Sequence, residues 1–201
     1  GCTSLSFEDL QLPNLKTLGQ NAFYGVKVKK ISNLGKITSI PDGNYKNSLG
    51  VNEEYLESFT LSDTITTIPA YLLYSCKNVS EFNANWENIT SIGKNAFDGC
   101  SSLVIAELSM PSLTTLGIRT FSTVKIGRIT DLGNITTTPS GNYSNFLFCD
   151  AEYLKSVVFP ETITSLKDDV LRNNTEIEYI IIKAITPPTL GRVPFASDYP
   201  I

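Results

Sequence analysis

Histidine is absent from all 201 residues. That removes the side chain most used as a general base, as a metal ligand and as the partner of a nucleophilic Ser or Cys, so the composition points away from catalysis. Cysteine is scarce. Cys2, Cys76, Cys100 and Cys149 form no C-x-x-C pair, which leaves a zinc or thioredoxin-like reading without support. Charge is thin as well: 18% of residues, against the usual quarter, with a net −4 and neither a basic tract nor an acidic tail. Nucleic acid is therefore not an expected partner, because phosphate binding needs a concentrated positive patch. No uninterrupted run of 18 apolar residues occurs, so no membrane-spanning helix is expected in this segment. No metal-ligand cluster is visible, and no cofactor is expected.

What the chain does have is repetition. Gly1-Cys2-Thr3-Ser4-Leu5 returns as Gly99-Cys100-Ser101-Ser102-Leu103, and a shift of 98 positions extends the match without a gap. Leu15-Lys16-Thr17-Leu18-Gly19 falls on Leu113-Thr114-Thr115-Leu116-Gly117, and Gly43-Asn44-Tyr45-Lys46-Asn47 on Gly141-Asn142-Tyr143-Ser144-Asn145. About a third of the aligned positions are identical. Residues 1–98 and 99–196 are thus two copies of one block inside a single solenoid domain. A finer period runs through both. Segments opening at Leu56, Val79, Leu103, Leu154 and Ile177 share an L-x-x-Φ-x-Φ run, a polar turn and an I-T-x-I or L-T-x-L run. Most are 23 or 24 residues apart, while those near Val28 and Ile126 are longer and carry the Gly-Asn-Tyr-x-Asn insertion.

A unit that short cannot bury its own apolar face; stacked neighbours can. The L-x-x-Φ-x-Φ runs are too short for helices and alternate with period two, so they read as strands aligned into one parallel sheet. The expected fold class is an α/β repeat solenoid, β-rich, with one short parallel strand per coil and about eight coils, four per block. Gly19, Gly93, Gly117 and Gly191 recur at one place in the coil, where a Cβ is expected to obstruct a bend. The Asn-Ala-Phe stretch that follows fits one helical turn, with Phe23, Phe97, Phe121 and Phe195 as core pegs.

The run Ile89-Thr90-Ser91-Ile92-Gly93-Lys94-Asn95-Ala96-Phe97-Asp98-Gly99-Cys100 resembles the BspA-like leucine-rich repeats of bacterial surface proteins, including those of Bacteroides-type gut organisms. The resemblance covers nearly the whole chain. It implies a right-handed leucine-rich-repeat superhelix, a cell-surface or extracellular location, and adhesion or binding to a protein, with host or matrix proteins among the candidates. It transfers no catalytic residue. The chain opens at a Gly-Cys that elsewhere follows Ala-Phe, and it ends in mid-unit at Tyr199-Pro200-Ile201, which predicts a fragment of a longer protein.

Two surfaces are candidates for contact. In L-x-x-Φ-x-Φ the residues flanking the middle apolar position point away from the core. That predicts outward pairs at Phe7 and Asp9, Lys30 and Ser32, Ser58 and Thr60, and Glu81 and Asn83. In the second block the pairs are Ile105 and Glu107, Arg128 and Thr130, Ser156 and Val158, and Tyr179 and Ile181. These outward positions read as differing from block to block. The face is either a binding surface, better suited to a protein or peptide than to an anion, or an ordinary solvated face. The second candidate is the pair of insertions, Asn44 and Tyr45 with Asn142 and Tyr143, read either as contact loops or as plain turns. Trp86, the single tryptophan, fits either a sugar-stacking platform or the core. Those features keep a glycan open as the ligand, and a passive spacer as a third reading. Cys76 and Cys100, one coil apart in equivalent slots, read as small buried residues rather than as a redox pair.

Overall fold

The computed structural model describes residues 4–139, 153–171 and 174–192. In chain order its strands are β1 (Ser6–Gln11), β2 (Lys27–Asn33), β3 (Ser58–Thr60), β4 (Thr67–Ile68), β5 (Glu81–Asn83), β6 (Ser91–Ile92) and β7 (Val104–Ser109). There follow β8 (Thr115–Leu116), β9 (Lys125–Asp131), β10 (Ser156–Phe159), β11 (Ser165–Leu166), β12 (Tyr179–Ile182) and β13 (Thr189–Leu190). Eight of these form the front of the solenoid as two four-stranded sheets, β1-β2-β3-β5 and β7-β9-β10-β12. All pairs are parallel, as in a coil that returns to the same edge once per turn. Among the described residues the stack makes about seven turns.

The expected strand count per coil needs correction. The I-T-x-I runs also become strands, only two residues long, in the columns β4-β6-β8 and β11-β13. Most coils therefore carry two strands. The second exists only because neighbours stack, which explains why a local reading misses it. Threonine hydroxyls reinforce these columns: Thr90 donates to the carbonyl of Thr66, and Thr114 to that of Thr90. Thr164 and Thr189 do the same on Thr136 and Thr164. Each threonine thus ties one coil to the one before.

The helical component shrinks too. Among the described residues the only helix is a 3-10 turn at Trp86–Asn88. The Asn-Ala-Phe stretches are turns, not helical turns, because each places a residue in the left-handed region. Asn21, Tyr71, Asn95, Arg119 and Asp169 have φ between 53° and 60°. One such residue interrupts the right-handed path of a helix.

The core lies between the two strand layers. Val28, Ile31, Leu56, Phe59, Val79, Ile126, Ile129, Leu154 and Val157 are fully buried on its front side. Phe97 and Phe121 stack in the interior with centroids 5.5 Å apart, and Phe82 meets Phe97 edge-on at 4.7 Å. Cys76 and Cys100 are free and wholly buried, as packing predicted. The glycine column behaves as expected, with a sharper cause than a bend. A Cβ on Gly93 would enter the backbone of Ala70, and one on Gly117 that of Lys94. The preceding coil occupies that space. Gly19 has nothing near it.

Candidate functional site

The front strands set their outward residues in register. Asp9 lies across from Lys30, Lys30 from Ser58, and Ser58 from Glu81. In the second sheet Glu107 lies across from Arg128, Arg128 from Ser156, and Ser156 from Tyr179. A second row, two residues on, includes Thr60 beside Asn83, and Val158 beside Ile181.

Two of the expected outward pairs are displaced. Phe7 lies across from Val28 and Ile105 across from Ile126, both partners being fully buried. Ile105 packs against the core and is not an open-face residue. The pairs that face outward at these strands are Asp9 with Gln11 and Glu107 with Ser109. The coil leading into β7 is longer by two residues than the 24-residue spacing from Val79 to Leu103 suggested, since Glu81 and Glu107 occupy equivalent places.

With the register corrected, the first outward row proves far less variable than it reads from sequence. Asp9, Lys30 and Ser58 correspond to Glu107, Arg128 and Ser156, the same order of acid, base and serine. Ser58 and Ser156 are buried despite facing outward, each lying in register between two longer side chains. Lys30, Glu81, Asn83, Glu107, Arg128, Tyr179 and Ile181 are exposed, and Thr60 is half-buried.

The first block's face is closed on itself by hydrogen bonds. Gln11 Nε2 and Ser32 Oγ both donate to Asp9 Oδ2, at 2.7 and 2.8 Å. Asn83 Nδ2 donates to Glu81 Oε1 at 2.8 Å, and Ser58 Oγ to Glu81 Oε2 at 2.9 Å. These donors, Gln11 foremost for Asp9 and Asn83 foremost for Glu81, hold both carboxyls below the usual carboxylate range, with Lys30 adding to the effect on each. Among the described residues, the second block's counterpart acid Glu107 receives only a long side-chain contact, from Thr130 Oγ1 to its Oε1 at 3.4 Å.

The insertion loop stands on the side of the stack. Asn44 is exposed and Tyr45 is 72% exposed, with φ 54°. Tyr45 neither enters the core nor stands free: its ring lies 5.5 Å from that of Tyr71, itself 5.3 Å from Tyr74. Asp42 Oδ1 anchors the loop by accepting from the Ala70 amide at 2.8 Å. Asn142 and Tyr143 lie outside the described residues. Trp86 goes to the core side, half-buried against Phe82 at 5.5 Å and Phe97 at 6.3 Å, which favours core packing over a sugar platform. The long coils leave matching shallow grooves in the two blocks. One of about 200 Å³ is lined by Asn33, Gly35, Ser62 and Asp63. The other, of about 290 Å³, is lined by Asp131, Gly133, Glu161 and Lys183. Among the described residues no three His, Cys, Asp or Glu side chains come together as a metal site. No described helix is long and apolar enough to cross a membrane.

Comparison with known proteins agrees with this architecture. Among curated proteins no sequence matches the chain. Among solved structures it resembles a leucine-rich repeat protein of T. pallidum, with TM-score 0.56 and 17% identity over 81% of this chain and 70% of that one. It also resembles a leucine-rich cell surface protein of Faecalibacterium prausnitzii, with TM-score 0.51 and 14% identity over 96% of this chain. The chain spans about half of that second protein, 52% of its length. Identities this low show the fold alone. The family model for the BspA-type leucine-rich repeat region matches in six copies, over residues 1–83, 50–147 and 85–197. Since those matches cover nearly every coil, the chain belongs to the BspA-type leucine-rich repeat family.

Proposed function

We propose that this chain is a surface-exposed or secreted repeat module that binds a protein partner through its open sheet face. The observation that carries the reading is the front face itself. One row of side chains stands outward in register along each sheet, with a second row in register at the later strands, over a continuous buried core. A stacked solenoid gives such a face length and rigidity, which lowers the entropic cost of ordering a contact surface. Its mixed charge and partly apolar character suit a protein better than a compact anion. The family and the F. prausnitzii cell surface protein support a location outside the cell. The reading is of a binding protein and not of an enzyme, since the repeat brings no reactive constellation with it.

Probing the chain against arrays of surface and matrix proteins and of glycans tests this. Protein hits that are weakened by Thr130→Arg on the open face are expected. Glycan hits alone would replace the reading with a lectin-like one, and those should then fall with Tyr45→Ala in the loop. Silence on both arrays would favour a spacer that projects another domain.

A further inference from the structure

The duplicated block supplies its own control. The two copies share the buried framework, so their open faces can be compared position by position. Acid, base and serine of the first row are kept, as is the hydroxyl at Ser32 and Thr130. Three positions change character completely: Glu81 becomes Tyr179, Thr60 becomes Val158 and Asn83 becomes Ile181. All three changes run from polar to apolar or aromatic, and they are neighbours. Val158 lies directly across from Ile181, and Tyr179 is two residues before Ile181 on the same face of β12. Tyr179 and Ile181 are 45% and 44% exposed.

Such side chains gain little for folding while they remain in water, because the hydrophobic effect rewards only area that is covered. The first block shows that the framework accepts polar residues at all three places. A contiguous apolar patch on an otherwise polar face marks a surface that something covers. The charges beside it have changed too. Lys30 stands between two acids and interacts with both Asp9 and Glu81. Arg128 keeps Glu107 across from it but has lost the second acid to Tyr179, and its guanidinium makes no ion pair or hydrogen bond among the described residues. The patch is thus apolar with an under-compensated guanidinium one strand beyond Ser156.

We infer that Val158, Tyr179 and Ile181, with Arg128 at their edge, form the docking surface for a protein segment that presents apolar side chains next to a carboxylate. This rests on the reading of the open face as the contact surface and places the contact in the second block. Apolar side chains of the partner cover the patch, and the carboxylate takes the two-pronged contact that a guanidinium offers.

Exchange between the blocks tests it. A displayed library of random dodecapeptides is selected on the whole chain. The survivors are measured on the wild type, on Val158→Thr/Tyr179→Glu/Ile181→Asn, and on the reverse set Thr60→Val/Glu81→Tyr/Asn83→Ile. The first variant carries only residues that the fold already bears in block one, so it is expected to fold. Selected peptides should carry apolar residues near an Asp or Glu, lose about tenfold or more in affinity on the first variant, and lose a smaller factor on Arg128→Gln. The reverse set should create a second site. Peptides that bind the first variant undiminished would overturn the inference while leaving a different part of the face, or the loops, as the contact. Hydroxyl-radical labelling of Tyr179 in the free chain guards against a trivial answer. Ready labelling is expected, and a protected Tyr179 would mean that the chain covers its own patch, which ends the inference. A library that yields no selected peptide at all would count against both the inference and the protein-binding reading.

Discussion

The rings of Phe97 and Phe121, one coil apart, stack with centroids 5.5 Å apart and planes within 2° of parallel. Each fills the interior of its own coil and makes a floor for the next. Phe97→Ala should therefore cost about 3–5 kcal/mol of stability, since a cavity opens that adjacent coils can close only by moving together. Phe121→Ala should cost a similar amount, and the two losses should not add, because they share a contact. Denaturant unfolding of both single variants and the double variant measures this.

The glycine column predicts a contrast inside one motif. Gly93→Ala and Gly117→Ala each drive a methyl group into the backbone of the preceding coil. Backbone cannot step aside as a side-chain tip can, so each should lower stability by about 1–3 kcal/mol. Gly19→Ala has nothing near its new Cβ and should leave the midpoint of unfolding close to that of the wild type. Equal effects at all three would refute the close approach as the reason for the glycines.

The same glycines show what the sequence makes legible. A residue that serves stacking must recur once per coil, so Gly93, Gly117, Phe97 and Phe121 are visible as a period. Register is harder. Around Leu103-Val104-Ile105-Ala106-Glu107-Leu108 the apolar pattern admits two alignments, and only the partner strand decides that Ile105 faces in. With the wrong alignment the shared order of Asp9, Lys30 and Ser58 with Glu107, Arg128 and Ser156 is hard to see as one row. The two-residue strands are illegible for another reason: their pairing joins residues about one coil apart, and no local propensity encodes it. Tyr45 illustrates a third limit. Its insertion is obvious in the sequence, but its perch on Tyr71 depends on the path of a different coil.

Acid should loosen the first block's face before it affects the core. Asp9 and Glu81 have folded-state values below the ordinary range, held there first by the side-chain amides of Gln11 and Asn83. A lowered folded value means that the stabilisation is complete above the unfolded value and is lost as pH falls through the folded one. Carboxyl chemical shifts followed by NMR should show both groups titrating below typical Asp and Glu. Removing the donors, with Gln11→Ala and Asn83→Ala, should return each toward its usual value.

The thiols of Cys76 and Cys100 should be inert in the native chain. Burial pushes the Cys76 thiol well above its ordinary value, and it pushes the Cys100 thiol beyond the range where a thiolate forms near neutral pH. Iodoacetamide labelling followed by peptide mapping should leave both positions unmodified until denaturant is added. Labelling of either one without unfolding would mean that the coil interior opens locally.

The claim on which the rest depends is that contact is made by the front sheet and not by the sides of the stack. Measuring a protein ligand from the array against Thr130→Arg and Ile181→Arg, on the open face, and against Thr67→Arg and Thr115→Arg, on the side strands, separates the two surfaces. The front substitutions place a long cation within the outward rows, while the side ones occupy exposed positions of β4 and β8. Affinity should fall about tenfold or more with the front pair and stay within about twofold with the side pair. A loss confined to the side pair, or full affinity with the front pair, would contradict the open face as the binding surface.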